Sequence, residues 1–465
     1  MADGELRAAI AGSACTALTV IVDALPPALR YGVARRLLNV GLAAVAPRRL
    51  PVVPTGAAPT DPEHPRPDRK SDRPTLKCVL ATGRLGVGGV ESVVATLARE
   101  LPSWGVDATV MCSGGGPTAD ELVRAGVTVL EARDAVEAGR VLDSVAPDVV
   151  ELHNAPDHMT EAATSRRIPV VPVVHNQEIH RPAVAWRALA AMTEDATVTV
   201  AVSETVRQHH LHHLPGLSPA AVRVVPNGAP PAGPSQWSPD ARRRARELLS
   251  TAVGMDLTGA VVLLCLARYD PQKNLPGLVV AFVDAAARRD RLHLVVAGAT
   301  SDRLEVCRTE AVRRSHPQGG HVHLLDSSSA RTLLAAADAL VLDSFFEGGP
   351  LVAAEALMVG LPVVLADAGA AVDFVGDGER GILVPNPAGR AGAVDDRRVR
   401  AARRRVARQR NRAALTDALV EVHDDADLWA ARRGEIAAQA AELFGMNAMV
   451  AGHAAALRAT RGRKG

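Results

Sequence analysis

The chain has 465 residues, 48% of them hydrophobic and only 2% aromatic, with a formal net charge of +2. That length holds two domains and an extra segment. The near balance of charge gives no footing for a nucleic-acid partner. The shortage of aromatics leaves the cores to Ala, Val and Leu. Five scattered cysteines, Cys15, Cys78, Cys112, Cys265 and Cys307, show neither disulfide nor metal spacing and read as small core residues in a reducing compartment.

Residues 1–50 form an apolar and basic extension. The uncharged run Ala8–Val22 ends at Asp23 and Pro26–Pro27, short of the ~20 residues that cross a bilayer. Asp3, Glu5 and Arg7 precede it, unlike the basic start of a secretory signal. Further on, Arg30, Arg35, Arg36, Arg48 and Arg49 interleave with Leu29, Val33, Leu37, Leu38, Val40 and Leu42. This pattern is either an amphipathic helix lying on anionic lipid or a helical appendage packed on the protein. Residues 51–74, rich in proline, read as an extended, mobile linker.

From residue 75, short apolar runs alternate with helical stretches. Cys78–Ala81, Ala108–Met111, Val127–Leu130, Val149–Leu152, Val170–Val174, Thr197–Ser203 and Val222–Pro226 read as strands. A second series follows at Val261–Leu264, Leu292–Ala297, Val322–Leu325, Ala339–Leu342, Pro362–Leu365 and Gly381–Val384. The alternation predicts two doubly wound α/β domains, over 75–230 and 231–440, joined through the Gly- and Pro-rich stretch Gly228–Pro239. Residues 441–465 form a terminal helix and basic tail that cross back to the first domain. Two such sheets facing one another leave a cleft at their carboxyl edges, where open α/β sheets take ligands.

The segments that leave these strands carry the chemistry. Gly83–Glu91 is a glycine-rich turn opening a helix, and Gly88 and Gly89 allow close approach of a ligand. It is not a dinucleotide fingerprint, because Glu91 stands where the third glycine is required. His175 ends a strand and faces the cleft, where it would hydrogen-bond a sugar or transfer a proton. Arg268 and Lys273, in the loop after Val261–Leu266, suit a diphosphate, Arg as a fork and Lys as a point charge.

The most informative stretch is Phe346–Leu357. Glu347 lies in the loop after an apolar strand, and Glu355 on the helix that opens at Pro350. Gly348 and Gly349 let backbone approach a ligand, and the helix-start N–H groups form an anion site. Two hydroxyl acceptors around a phosphate cradle fit a sugar on a nucleoside diphosphate.

In this order, the motifs resemble the retaining nucleotide-sugar glycosyltransferases of family 4, with the GT-B fold. Gly88–Glu91, His175–Asn176, Ala201–Glu204, Val225–Gly228, Arg268…Lys273–Asn274, Ala297–Gly298 and the Glu347–Glu355 pair carry the likeness, over about residues 75–445. The resemblance implies that Arg268 and Lys273 bind the donor diphosphate. It puts Glu347 on the donor sugar, the Gly348–Gly349 backbone at the phosphates and Glu355 on the ribose, with Pro350 and Leu351 also among the donor-binding residues. His175 would lie beside the anomeric centre, and Gly88–Gly89 between donor and acceptor. Asn227–Gly228 matches the family's hinge signature.

No cofactor or metal is expected. Asp425–Ala426–Asp427 reads as a helix start, and His209–His213 as a helix whose imidazoles face several directions. The partners expected are a nucleoside-diphosphate sugar and an acceptor that is a lipid, a polysaccharide or a small molecule. The alternatives are a nucleotide-sugar epimerase and a non-catalytic binding module of the same shape. One departure from the family is a basic insertion over about 388–412, with nine arginines between Arg397 and Arg412 and no acid among them. It reads as a solvated helix or, with residues 1–50, as a patch for an anionic membrane surface. The expected location is cytoplasmic, peripheral on the inner face of the membrane if that patch meets lipid.

Overall fold

The computed structural model describes residues 14–15, 17–42, 50–55, 76–194 and 196–460. Its first sheet holds β1 (Leu76–Arg84), β2 (Val106–Gly114), β3 (Val129–Glu131), β4 (Val149–His153), β5 (Val170–Val174), β6 (Thr199–Ala201) and β7 (Val222–Val224). The second holds β8 (Val261–Leu266), β9 (Leu292–Ala297), β10 (Val322–Leu325), β11 (Ala339–Leu342), β12 (Val363–Ala366) and β13 (Gly381–Val384). All the pairings between these strands are parallel. Helices cover both faces, so central strands such as β4, β5 and β9 are buried along their whole length. That is why they read as unbroken apolar runs rather than as alternating ones.

The order is β3-β2-β1-β4-β5-β6-β7 in the first sheet and β10-β9-β8-β11-β12-β13 in the second. Each sheet therefore reverses direction once, between β1 and β4 and between β8 and β11. A crevice opens at such a switch point, at the carboxyl ends of the two strands. The turn Gly83–Gly89 and His153 leave β1 and β4. The Arg268–Lys273 loop and the Asp343–Pro350 segment leave β8 and β11. The glycine turn and the Arg268–Lys273 and Asp343–Pro350 segments thus occupy the two switch points, and His175 ends the neighbouring β5.

The chain passes between the domains twice. Ala229 pairs with Gly445 in an isolated parallel bridge. A side chain on Gly228 would run into the Gly445 backbone, so the first crossing needs glycine for close approach. Beyond Gly445, the helix Met446–Ala459 returns to bury Met449, Val450, Ala454 and Leu457 in the core of the first domain.

The N-terminal extension is helical over 17–24 and from Pro27 to Gly41, with one π-helical turn at Arg30–Ala34. Leu18, Val22, Leu38 and Leu42 pack on Leu304 and Cys307 of the second domain. Arg35 pairs with Asp270 at 3.2 Å, and Tyr31 Oη meets His180 Nε2 of the first domain at 2.9 Å. Of the two readings of this segment, the structure has the packed appendage. Val33, Leu37 and Val40 stay exposed on its outer side. The arginines at 48 and 49 lie outside the described residues. No helix among the described residues is long and apolar enough to cross a membrane.

Two expectations need correction. Residues 51–55 are not a free linker: Val53 is buried, Pro51 O accepts from Asp326 N at 2.9 Å and Val53 O from Ser329 N at 3.1 Å. The rest of that stretch, 56–74, lies outside the described residues. Nor is the basic insertion simply a solvated helix. Its helix, Asp396–Arg404, buries Val399 and Arg403. Arg403 reaches Asp23 Oδ1 at 2.5 Å and also binds Glu305, while Asp396 holds Arg30 at 2.6 Å. Acids supplied by the extension and by the helix Arg303–Arg314 neutralise this face of the helix.

Candidate functional site

At the β8 switch point, Asp270 Oδ1 caps the turn Pro271–Lys273 by accepting from Gln272 N at 3.1 Å. Arg268 is exposed in the same loop. Lys273 Nζ donates to Glu347 Oε1 at 2.5 Å, and Gln272 Nε2 donates to Glu347 Oε2 at 3.2 Å and to Phe346 O at 2.7 Å. Glu347 is 7% exposed. An ammonium has three donors. Glu347 takes one, leaving Lys273 able to meet a further anion.

Gly348 and Gly349 are where the two domains touch. A side chain on Gly348 would overlap the carbonyl oxygen of His175. Asn227 Nδ2 donates to Gly349 O at 2.7 Å, so the hinge residue also anchors this loop. The helix Leu351–Met358 starts directly after it. Pro350 is its N-cap, with φ −63° and ψ 113°, one position ahead of the first-turn place expected from sequence. Across the gap, the helix Gly89–Glu100 begins with its Gly89 Cβ position 4.0 Å from Leu351 Cδ1. Two helix N-termini thus border one gap, and their free N–H groups favour negative charge there. Glu355, in the second turn of Leu351–Met358, is half-buried, and burial raises its carboxyl above the usual range.

His175 is buried and belongs to a chain of polar groups that sequence reading did not find. Glu151 on β4 is fully buried. His453 Nδ1, on the returning terminal helix, meets its Oε1 at 2.7 Å, and His153 Nε2 meets its Oε2 at 3.3 Å. His153 Nδ1 lies 3.0 Å from His175 Nε2. Burial alone would raise the Glu151 carboxyl, but His453 and His153 hold it down at about 2. Burial lowers His153, and burial with the neighbouring histidines takes His175 well below its ordinary range. The tautomers follow. Glu151 is an anion that only accepts, so His153 carries its proton on Nε2. Its Nδ1 then accepts from His175 Nε2, which leaves His175 Nδ1 as a hydrogen-bond acceptor.

The donor-side loop rests on a second buried network, also missed. Asn274, in the left-handed region at φ 49°, donates to Asp343 Oδ2 at 2.7 Å. Asn411 donates to Asp343 Oδ1 at 2.6 Å, and Gln409 exchanges hydrogen bonds of 2.8 Å with Asn274. The insertion thus braces the loop that holds Lys273. Burial outweighs the two Asn donors and pushes the Asp343 carboxyl up to about 7.

A pH dependence follows from Asp343. In the unfolded chain this carboxyl titrates near 3.9, so between about pH 4 and pH 7 the native state binds more protons. Stability from this group is complete below the unfolded value and is lost as pH rises through about 7. We expect wild type to lose stability relative to Asp343→Asn on going from about pH 5 to about pH 8, by roughly 2 kcal/mol. Urea unfolding of both proteins at the two pH values checks this, and a difference that does not change with pH contradicts it.

The structure therefore brings Lys273, Glu347, Gly348, Gly349 and His175 together, with Gly89 facing Leu351 across the gap. Arg268 and Glu355 lie on the loop and helix beside this cluster; among the described residues neither side chain makes a hydrogen bond or ion pair, and Arg268 helps hold the Asp270 carboxyl below its ordinary range. The imidazoles of 209–213 serve packing: His213 stacks on Trp186 at 4.6 Å between centroids, and His210 is buried against Val206 O. Among the described residues, no group of three or more His, Cys, Asp or Glu side chains is placed to hold a metal ion.

Comparison with known proteins gives two family matches. The family described as glycosyl transferases group 1 matches residues 257–396, and glycosyltransferase family 4 matches residues 87–232. The chain is 28% identical to the glycogen synthase of Mycobacterium tuberculosis (strain H37Rv) over 316 residues, which is 62% of this chain and 70% of that protein. It is 30% identical to the alpha-maltose-1-phosphate synthase of Mycolicibacterium smegmatis over 199 residues, 41% of this chain and 49% of that protein. Among solved structures, Anabaena HepE in complex with UDP-glucose superposes with a TM-score of 0.66 at 17% identity, covering 83% of this chain and 100% of that one.

Proposed function

The chain belongs to the family 4, group 1 glycosyltransferases, and on that premise we propose that it moves a sugar from a nucleoside-diphosphate sugar to an acceptor hydroxyl with retention of configuration. The observation that carries this reading is the Lys273–Glu347 pair, seated against Gly348–Gly349 where the His175 carbonyl meets the second domain. Breaking the anomeric bond puts negative charge on the diphosphate and positive charge on the sugar. Arg268, Lys273 and the N–H groups at Leu351 stabilise the first, as charges and dipoles already in place before the bond breaks. Glu347 accepts from the sugar hydroxyls while it positions Lys273. Glu355, half-buried and without a side-chain partner among the described residues, takes the ribose hydroxyls.

His175 is neutral and presents an acceptor, so its part is to orient a hydroxyl near the anomeric centre rather than to supply a cation. Attack on the same face as the departing diphosphate fits this arrangement, with a phosphate oxygen taking the acceptor's proton. HepE, which shares the fold, binds UDP-glucose, and that supports a nucleotide-sugar donor here. The acceptor is a lipid, a polysaccharide or a small molecule. The exposed Val33, Leu37 and Val40, with exposed Arg36 among them, support contact with an anionic membrane surface.

Turnover by the purified full chain on a panel of nucleoside-diphosphate sugars tests the reading. Release of the nucleoside diphosphate with a new glycosidic bond of retained configuration is expected. An epimerised donor with no new bond identifies an epimerase, and binding without turnover on any acceptor identifies a binding module.

A further inference from the structure

We propose that the insertion between β13 and the helix Arg412–Asp424 builds a second anion site, distinct from the Arg268–Lys273 loop, for a ligand carrying a phosphate or diphosphate group. A cavity of about 480 Å³ is walled by Arg390, Arg398, Arg405, Arg408 and Arg410, with Gln409 and no carboxylate. Among the described residues, none of these five guanidiniums has a side-chain hydrogen bond or ion pair.

The contrast within the same segment is informative. Arg400 pairs with Asp396 at 3.0 Å, Arg403 is buried between Asp23 and Glu305, and Arg412 is forked on Asp284 at 2.7 and 2.9 Å. One face of the helix Asp396–Arg404 is thus neutralised inward. Arg398 and Arg405, seven positions apart, project from another face of the helix and its C-cap into the cavity.

Five like charges repel one another, and gathering them around one hollow is unfavourable until an anion enters. Low-dielectric walls focus that field. Guanidinium forks match the oxygens of a phosphate, and a diphosphate offers enough oxygens for several forks at once.

The hollow is not closed at its inner end. It shares Arg390 and Arg410 with a neighbouring cavity of about 630 Å³ at the carboxyl ends of β12 and β13. That cavity in turn shares Ala391 and Gly392 with one of about 800 Å³ between the domains, beside Gly369 and Trp186. A ligand with its phosphate among the arginines therefore has room to run toward the interdomain gap. Gln409 lines the arginine cavity and also holds Asn274, next to Lys273. The inference stands apart from the reaction proposed above, because anion binding is read without turnover.

The test is a calorimetric titration of the full chain with inorganic pyrophosphate. Three proteins are compared: wild type, Arg268→Ala/Lys273→Ala and Arg405→Ala/Arg408→Ala. A site that survives in the donor-loop variant and weakens at least about tenfold in the Arg405/Arg408 variant is expected. The substituted arginines are exposed and unpaired, so an unchanged melting temperature in the latter variant confirms that the fold is kept.

Cosedimentation with phosphatidylcholine vesicles containing phosphatidic acid separates the two sources of such a group. Vesicle binding that needs Arg405 and Arg408 assigns the site to a lipid headgroup, and pyrophosphate binding without vesicle binding assigns it to a free phosphate compound. Wild type that binds neither, or an Arg405/Arg408 variant that binds pyrophosphate within about twofold of wild type, overturns the proposal.

Discussion

Replacing Glu347 by alanine lowers transfer by roughly 10²-fold, about 3 kcal/mol of transition-state stabilisation, while the fold survives. The size follows from two losses at one position. On the proposed reading, the carboxylate accepts sugar hydroxyls at a position only 7% exposed, where charge-assisted hydrogen bonds are strong. It also holds Lys273 Nζ at 2.5 Å and takes Gln272 Nε2. Without it, the ammonium meant for the departing diphosphate is no longer positioned. Glu347→Gln keeps the volume and the oxygen facing Gln272 or Lys273 but loses the charge, so it falls between alanine and wild type. Steady-state kinetics on the donor found by the turnover panel checks the order. Turnover of Glu347→Ala within about threefold of wild type would remove Glu347 from the site.

Arg403→Ala has the largest expected effect on stability. Arg403 is 3% exposed, Asp23 is 0% and Glu305 is 1%. The guanidinium binds both carboxylates, and Arg308 shares Glu305 at 2.8 Å. Alanine leaves two buried acids short of their cation, and breaking such a buried group costs about 3–5 kcal/mol. It also loosens the extension against the helix Asp396–Arg404, where the Arg30–Asp396 pair and the Arg400 bond to Asp23 O remain. Chemical denaturation reads the cost directly. A loss below about 1 kcal/mol would mean that Arg308 and Arg30 take over the charges and that the triad is not a keystone.

Much of this molecule is legible in its sequence, and most of the illegible parts are pairings between distant segments. Strands such as Val149–His153 and Val170–Val174 are flanked by helices on both faces, and parallel sheets of that kind write themselves as continuous apolar runs. The Arg268–Lys273 and Glu347–Glu355 segments follow their strands directly, so their place at a switch point follows from the alternation of elements. The helix Ala135–Val145 escaped although Asp134 caps it, accepting from Val136 N at 2.8 Å, and Glu137, Arg140 and Asp143 lie on the face opposite its buried Ala138 and Leu142.

The supporting networks escaped because they join distant parts of the chain. Glu151 and His453 are 302 positions apart, and Gln409 and Asn274 are 135 apart. Nothing local marks a buried imidazole or amide as a partner. Arg403 was hidden by its own neighbourhood, where one arginine looks like the next. A signal did exist: Asp396, Val399, Arg400 and Arg403 share a helical face, the spacing of a side that packs against something.

The central claim is that the two switch-point crevices grip one activated sugar, with Lys273 on its leaving group. One calorimetric measurement addresses it most directly: titration of the full chain with UDP, GDP and ADP, repeated on Lys273→Ala. The account predicts that at least one nucleoside diphosphate binds wild type and that its dissociation constant rises at least about tenfold in the variant. Equal affinity in the two proteins, or no binding by any of the three, would contradict it.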